Sequence, residues 1–316
     1  MRDNSLRIRI ATGAFTLPVM AGVTALLWII PGFGDLGLWI GLVVLGLATF
    51  LLAELSNRNS LIRIRSRLVG ATFLALYTAC PSLHTWTFSM VPMVCLILSY
   101  FQLFSVYQRP HPEGEVFRGF LFLGIASWFY PLLILIAPVL YFCLMVQLRA
   151  LTWRTWFAGL FGLLLPYWCY AGWAIYNNVL NTAFIPFVKA FNFDAPDYSA
   201  IPPEALSVFG FTAFISLLSI FHFSRTSYND KIRTRMYYYV MISMEILILT
   251  ACALQPQHYN ILLRLLIANS AILVAHYFAL AKGRIMNYFF NICLLTLGVL
   301  TIFNYFDLWT LLSTSL

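Results

Sequence analysis

A glutamate and an arginine interrupt the apolar stretch "MEILILTACALQPQHYNILLR" (244–264), and both residue types could do chemistry inside a membrane. Glu245 lies in the middle of one apolar run, and Arg264 begins the next. A charged side chain at the centre of a span costs about 2.5–3.5 kcal/mol on insertion scales, so such residues usually face a bundle interior or a wet cavity. A carboxylate there can act as a general base, and a guanidinium can bind a phosphate through its planar fork.

The turn "QPQH" (255–258) joins the two runs, so Glu245 and Arg264 are expected near the same end of two antiparallel helices. Side chains lean toward the N-terminus of their own helix, so these two lean apart. We therefore predict that both line one outward-facing cavity, with water or a ligand between them. A structural polar network is the alternative.

The other polar residues expected near the same outer end are Asp35, His84, His258, Asn260, Asp194, Asp197 and Asp307. The predicted catalytic residues are Glu245 and Asp35, and the predicted substrate-binding residues are Arg264, His258, Asp194 and Asp197. The chain contains no G-x-x-x-x-G-K-[ST], H-E-x-x-H or G-x-S-x-G motif. Its six cysteines form no C-x-x-C pair, so the sequence predicts neither a metal site nor a cofactor.

The composition of the chain indicates which kind of secondary structure positions these residues. The chain is 61% hydrophobic and 9% charged, against roughly 25% charged residues in soluble domains. Apolar runs near the ~20 residues that cross a bilayer as a helix recur along it. A membrane β-barrel needs alternating polarity, whereas "LGLWIGLVVLGLATFLLA" (36–53) is apolar at both odd and even positions. The sequence therefore predicts an all-α, polytopic transmembrane helical bundle.

About eleven spans are predicted within a single integral membrane domain, residues 1–316. They lie at about 11–31, 36–53, 66–82, 87–107, 117–130, 131–148, 155–176, 207–223, 236–254, 260–281 and 285–304. Pro131 separates the fifth from the sixth, and one long broken helix there would reduce the count to ten. The spacing "GLWIG" (37–41) predicts close packing between helices.

Positive charges predict the orientation of the bundle. With eleven spans and a cytoplasmic N-terminus, all but Lys189 and Arg264 of the 19 Lys and Arg residues lie inside. The C-terminus is then periplasmic, and the predicted location is the bacterial inner membrane. The net charge of +8 is explained by membrane lipids as partners, with no need for nucleic acid. The segment 177–206 becomes a periplasmic loop in which "TAFIPFVKAF" (182–191) could form an interfacial helix.

Three stretches resemble the C-type, polyprenyl-phosphate-sugar-dependent membrane glycosyltransferases. "FLGIASWFYPLLILIAPVLYFCLMVQLR" (122–149) is similar to a helix, break and helix of that superfamily, and "RTWFAGLFGLLLPYWCYAGW" (154–173) to the span that follows. "HYNILLRLLIANSAILVAHYFAL" (258–280) resembles a late span whose outer arginine faces the lipid phosphate, which implies that role for Arg264.

The chain departs from that superfamily after its first span. The family carries a catalytic Asp or Glu on a long outer loop, and here "PGFGDLG" (31–37) offers only Asp35 on a tight turn. Over its whole length the chain also resembles a family of inner-membrane proteins of Bacteroidota, a likeness that implies no activity.

The leading expectation is an envelope protein that handles a lipid-linked glycan or a phosphate-bearing lipid at its outer face. Arg264 would hold the phosphate of a polyprenyl-phosphate-linked substrate, and Glu245 or an outer aspartate would act as the base. A transporter or flippase, in which Glu245 titrates or binds substrate, is one alternative. A non-catalytic scaffold subunit that binds protein partners through inner arginines is the other.

Overall fold

The computed structural model describes residues 6–30, 32–64, 66–179, 185, 187, 195–199, 201–281 and 283–309. Throughout these residues the regular structure is α-helix with short 3₁₀ turns, and no strand occurs among them. The prediction of an all-α chain is therefore confirmed for the part of the chain that is described.

Twelve α-helices are found in the described residues. They are α1 (Leu6–Thr12), α2 (Thr16–Ile29), α3 (Leu36–Asn59), α4 (Leu68–Thr78), α5 (Met90–Phe104), α6 (Glu113–Phe129), α7 (Ile136–Val146), α8 (Trp153–Tyr176), α9 (Pro203–Thr226), α10 (Ile232–Leu254), α11 (Tyr259–Leu280) and α12 (Arg284–Tyr305). Four 3₁₀ turns lie at Pro81–Leu83, Pro131–Leu135, Ser227–Asn229 and Pro256–His258.

Each predicted span overlaps one of these helices, but only some are long enough to cross a membrane. Within the described residues, α3, α8, α9, α10, α11 and α12 qualify as spans by length and hydropathy. The pair α1 and α2, bent by 89°, would be a seventh. The helices at 66–82, 87–107, 117–130 and 131–148 are shorter; α4, for example, has 11 residues and is about 16 Å long, against a hydrocarbon core of ~30 Å. The chain is a helical membrane protein, while its eleven-span topology and orientation stay predictions.

The chain divides into two compact units. Unit 1 comprises Met1–Thr87, Tyr198–Thr234 and Leu262–Leu316, and unit 2 comprises Phe88–Asp197 and Arg235–Ile261. Most of α10 therefore belongs to unit 2, and most of α11 belongs to unit 1.

In unit 1, α4 packs on α2 and α3, and α12 packs on α1, α4 and α9. Arg7 holds α1 in place, because its guanidinium donates to Asn287 Oδ1 at 2.9 Å and to the carbonyl oxygens of Phe278 and Ala281. These contacts tie the first helix of the chain to the end of α11 and the start of α12.

In unit 2, α6 packs on α5 and α8. The backbones of α6 and α8 touch at two glycines: a Cβ on Gly162 would lie 2.3 Å from Phe117 O, and one on Gly124 would lie 2.6 Å from Leu163 O. Between α6 and α7 the chain breaks at Tyr130, which is extended, and Pro131 starts a 3₁₀ turn. The fifth and sixth predicted helices are thus separate helices.

Candidate functional site

Unit 1 contains a buried, largely non-helical connection that follows α4, here called the buried break (residues 79–87). Ala79, Cys80, Leu83 and His84 in it are buried. Buried backbone donors and acceptors need partners, because an unpaired one costs about as much as a lost hydrogen bond. The buried break must therefore obtain hydrogen bonds from the helices around it.

Three helices supply these hydrogen bonds. From α11, the Arg264 guanidinium donates to Leu83 O at 2.9 Å and to Thr87 Oγ1 at 3.3 Å. From α12, Asn304 Nδ2 donates to Ala79 O at 2.7 Å. At the start of α3, Gly37 O accepts from the backbone N–H of Trp86 at 3.1 Å.

Arg264 is completely buried, with 0% of its surface exposed. Its guanidinium also donates to the hydroxyl of Tyr77 and lies 5.6 Å from the centre of that ring. Hydrogen bonds that involve a charged group contribute about 1.5–3 kcal/mol. This geometry makes Arg264 a clamp between α11, α4 and the buried break, and a phosphate would have to displace these contacts to reach it. Phosphate binding by Arg264 stays a prediction.

Aromatic rings complete the cluster around the buried break. The Trp28 ring stacks on His84 with centroids 3.9 Å apart and on Tyr77 at 5.9 Å. Burial lowers the pKa of His84, which lies between two predicted spans, to about 4; the hydrogen bond to the Thr78 carbonyl opposes this shift, and the charge of Arg264 adds to it. His84 is therefore neutral at pH 7 and packs as an aromatic ring.

Gly41 lets α3 approach the buried break closely. A Cβ at this position would lie 2.4 Å from His84 O and 3.3 Å from Trp86 N. The close packing predicted from "GLWIG" therefore occurs against the non-helical backbone, whereas another helix was expected. Gly37 contributes through its carbonyl oxygen, and a Cβ there would meet only Asp35.

Unit 1 also contains a long apolar cavity of about 910 Å³, here called the groove. Residues of α2, α4, α9, α11 and α12 line it. One end lies at Ile10 and Phe290, and the other lies at Ile30 and Tyr305. The stretch of α12 between Phe290 and Tyr305 gives a length of about 22 Å at 1.5 Å per residue.

Thr212 is the unusual polar residue in the wall of the groove. It is completely buried, and its hydroxyl has no hydrogen-bond partner among the residues that the structure describes. Other helical hydroxyls in unit 1, such as Thr49 and Ser219, donate to the carbonyl one turn earlier. Leaving a buried hydroxyl unsatisfied costs about 1–3 kcal/mol. The Thr212 hydroxyl is inaccessible from the groove, so an occupant would reach it only after the wall shifts.

Glu245 lies on α10 in unit 2 and is completely buried. It is within electrostatic reach of Tyr100 and Cys252 of the same unit. The burial fits each role considered for it: a base in a closed site, a titrating or substrate-binding carboxylate of a transporter, and a member of a structural polar network. Its catalytic role stays a prediction.

The other predicted site residues are dispersed. Asp35 is exposed and caps α3, accepting from Gly37 N–H at 2.8 Å. His258, in unit 2, packs its ring against Tyr130 with centroids 4.8 Å apart. Asp197 is exposed in unit 2. Asp194 and most of the predicted interfacial helix lie outside the described residues.

Sequence reasoning missed a buried ionic cluster in unit 1. Asp230 is buried; its Oδ1 lies 2.7 Å from Arg63 Nε, and its Oδ2 lies 3.3 Å from His276 Nε2. Arg63 enters the sequence prediction only as one of the inside positive charges. The three residues are far apart in the sequence and share no motif, so no sequence pattern indicated that they would meet. The same holds for the groove, whose wall consists of ordinary apolar residues.

No protein-family model, curated protein or solved structure matches this chain. The resemblance to C-type glycosyltransferases therefore stays a prediction, and function is argued from the residues themselves.

Proposed function

We propose that this chain is a membrane protein that binds a long-chain, phosphate-bearing lipid in the groove of unit 1. The groove is the observation that carries the proposal. Its volume of about 910 Å³ lies in the ~300–1,000 Å³ range of ligand pockets. Its length of about 22 Å follows most of the ~30 Å hydrocarbon core. An apolar wall of this length suits an acyl or polyprenyl chain.

The proposed setting is the bacterial inner membrane, with eleven spans, a cytoplasmic N-terminus and a periplasmic C-terminus. The asymmetric distribution of Lys and Arg supports it. Reporter fusions near residues 60, 112, 150 and 230 should then report the inside, and fusions near 195 and 316 the outside. An outside result at 150 with an inside result at 195 would rule out this topology.

The proposed biological role is to handle a lipid-linked envelope substrate in the manner of a C-type glycosyltransferase. The likeness of residues 122–149, 154–173 and 258–280 supports this role. In it, the groove holds the polyprenyl chain, and Asp35 of the same unit accepts a proton from the acceptor.

Transport is the second candidate, and the complete burial of Glu245 on a candidate span favours it. Carboxylates in such positions mark proton relays and substrate pathways in transporters. Glu245→Gln should then abolish substrate flux into proteoliposomes without changing lipid retention in the groove.

The lipid proposal can be tested by filling the groove. Gly298 lines it, and a Cβ there would meet nothing within 4 Å, so Gly298→Trp should insert an indole into the cavity without a backbone clash. Gly210→Trp is the matched control, since Gly210 is an exposed helical glycine of unit 1 that is equally open and lies outside the groove. Lipids retained by the protein purified in mild detergent would be quantified by mass spectrometry.

We expect wild type and Gly210→Trp to retain long-chain lipid and Gly298→Trp to lose most of it. Equal retention by all three proteins would show that the lipid binds elsewhere. A wild-type protein free of lipid, which also binds none when lipid is added, would overturn the proposed function.

A further inference from the structure

A second cavity lies between α1 and the start of α12 in unit 1. It measures about 260 Å³ and is lined by Leu6, Arg284, Asn287, Tyr288 and Asn291. Four of these five side chains carry hydrogen-bond donors, and Arg284 adds a permanent positive charge. Neither α1 nor the first turn of α12 contains an acidic residue. The chemistry of this lining suits an anion.

The cavity continues the line of the groove. Ile10, at the end of the groove, follows Leu6 by one turn of α1, and Phe290 follows Asn287 by one turn of α12. Residues three or four apart in a helix lie on the same face. The polar cavity and the apolar groove are therefore successive sections of the space beside the same two helices.

Arg7 fixes the orientation of the amide of Asn287. The atom of Asn287 that faces Arg7 Nε at 2.9 Å must be the oxygen, because a guanidinium only donates hydrogen bonds. The amide nitrogen, which donates, is consequently turned away from Arg7. Arg7 itself is 6% exposed and anchored to the carbonyl oxygens of Phe278 and Ala281, so this orientation is set by a rigid neighbour.

Positive charge lies on both sides of this end of the groove. Arg284 is exposed at the start of α12. Across the groove, exposed Arg67 donates to Ala14 O at 2.7 Å, next to Phe15 and Thr16 of the groove lining. A molecule that lies in the groove with its polar end here would meet cations and donors.

We propose that the cavity at Arg284 binds the phosphate of an anionic phospholipid whose hydrocarbon chain occupies the groove. The inference rests on the lipid-binding part of the proposed function and adds the end at which the headgroup lies. That end is opposite to Asp35, so a headgroup bound there would count against the glycosyltransferase role. In the proposed topology that end faces the cytoplasmic leaflet, where anionic headgroups attract basic side chains. Arg264, the phosphate ligand predicted from the sequence, takes no part in this site.

The test measures binding of three probes to the purified full chain in detergent: dioleoyl-phosphatidylglycerol, dioleoyl-phosphatidylcholine and inorganic phosphate. Wild type should prefer phosphatidylglycerol. Arg284→Gln should weaken phosphatidylglycerol binding about fivefold, as expected for one basic group at a membrane surface. Phosphatidylcholine has the same phosphate but also a quaternary ammonium that offsets its charge, so its weaker binding should change less. The control Arg225→Gln, at an exposed arginine in the last turn of α9, should bind like wild type.

The outcomes separate this inference from the proposed function. If Arg284→Gln binds phosphatidylglycerol like wild type while Gly298→Trp weakens both lipids, the headgroup site is wrong and the groove stands. If wild type binds neither lipid, the proposed function fails. If wild type binds inorganic phosphate through Arg284 as tightly as phosphatidylglycerol, and Gly298→Trp weakens neither, the hydrocarbon chain contributes nothing. The cavity is then a free-phosphate site and the lipid assignment is wrong.

Discussion

Two regions of unit 1, the buried break and the groove, differ in their content of polar groups. The buried break is rich in polar groups, and Arg264, Asn304 and the start of α3 satisfy its backbone through hydrogen bonds. The groove is almost wholly apolar, measures about 910 Å³, and includes one buried hydroxyl, on Thr212, without a partner in the described residues. The first region holds itself together, and the second has room for a ligand.

The difference shows why a prominent charge is a poor guide to a ligand site in a membrane protein. An arginine in an apolar run is conspicuous because burial is costly, and the fold reduces that cost by surrounding it with acceptors. A cavity for a hydrocarbon chain needs only apolar walls, which look the same in the sequence as packed helix faces. Four predictions test this contrast.

The largest expected effect is on the buried break. Arg264→Leu should lower stability by about 2–6 kcal/mol, because it leaves the buried Leu83 O and the Tyr77 hydroxyl without their donor, at about 1–3 kcal/mol each. Thermal unfolding in detergent would measure it, with the exposed Arg225→Leu as the control. Lys at position 264 should restore stability only in part, since it lacks the planar fork. A fully stable Arg264→Leu protein that has lost phosphate-dependent activity would favour the predicted phosphate site over the clamp.

The second effect depends on pH. His84 has a folded-state pKa of about 4, below the ordinary value of 6.5, so the unfolded chain binds its proton more readily. The contribution of this group to stability is complete above about pH 6.5 and falls as the pH drops toward 4, by at most about 3 kcal/mol. Unfolding curves of wild type and His84→Gln between pH 7.5 and 4 would measure it.

His84→Gln should lose less stability than wild type over that interval. Parallel curves for the two proteins would show that His84 is not the group responsible. Lipid retention in the groove should not follow this titration, because no ionisable carboxyl, imidazole or basic group lies among the groove-lining residues.

Gly41→Ala should cost about 1–3 kcal/mol, as overpacking does, because the new methyl group would meet the backbone carbonyl of His84 at 2.4 Å. Gly46→Ala on the same helix is the matched control. A Cβ there meets nothing within 4 Å, and replacing a helical glycine should stabilise by about 0.5–1 kcal/mol. If Gly41→Ala is as stable as Gly46→Ala, the buried break does not lie tightly against α3.

The smallest effect on stability is expected at Glu245. A single interhelical hydrogen bond in a membrane contributes about 0.6 kcal/mol, so Glu245→Gln should leave thermal unfolding nearly unchanged. On the functional hypothesis this variant loses biological activity in a complementation assay while remaining folded. Full activity of both Glu245→Gln and Glu245→Leu would remove Glu245 from the candidate site.

The local sequence pattern was sufficient to predict the fold class and the positions of the helices. Few charged residues and repeated apolar runs place the chain in a membrane. Because the hydrocarbon core offers no water, each apolar segment must satisfy its own backbone hydrogen bonds, and this predicts a helical bundle. Pro131 and the polar turns mark helix ends by local sterics, so each of the eleven predicted segments overlaps a helix. Helix length was less predictable: α4 stops at Thr78 because the buried break finds partners elsewhere in unit 1.

Only the tertiary structure decided what the candidate residues do. Arg264 contacts Thr87, Leu83 and Tyr77, which precede it by 177, 181 and 187 residues. No local pattern pairs residues so far apart. His258 packed against Tyr130, which is distant in the sequence. The groove arises where the apolar faces of α2, α4, α9, α11 and α12 fail to fill the space between them. Sequence predicts that a face is apolar from its composition, but whether two such faces touch or leave a cavity depends on side-chain shape and long-range packing.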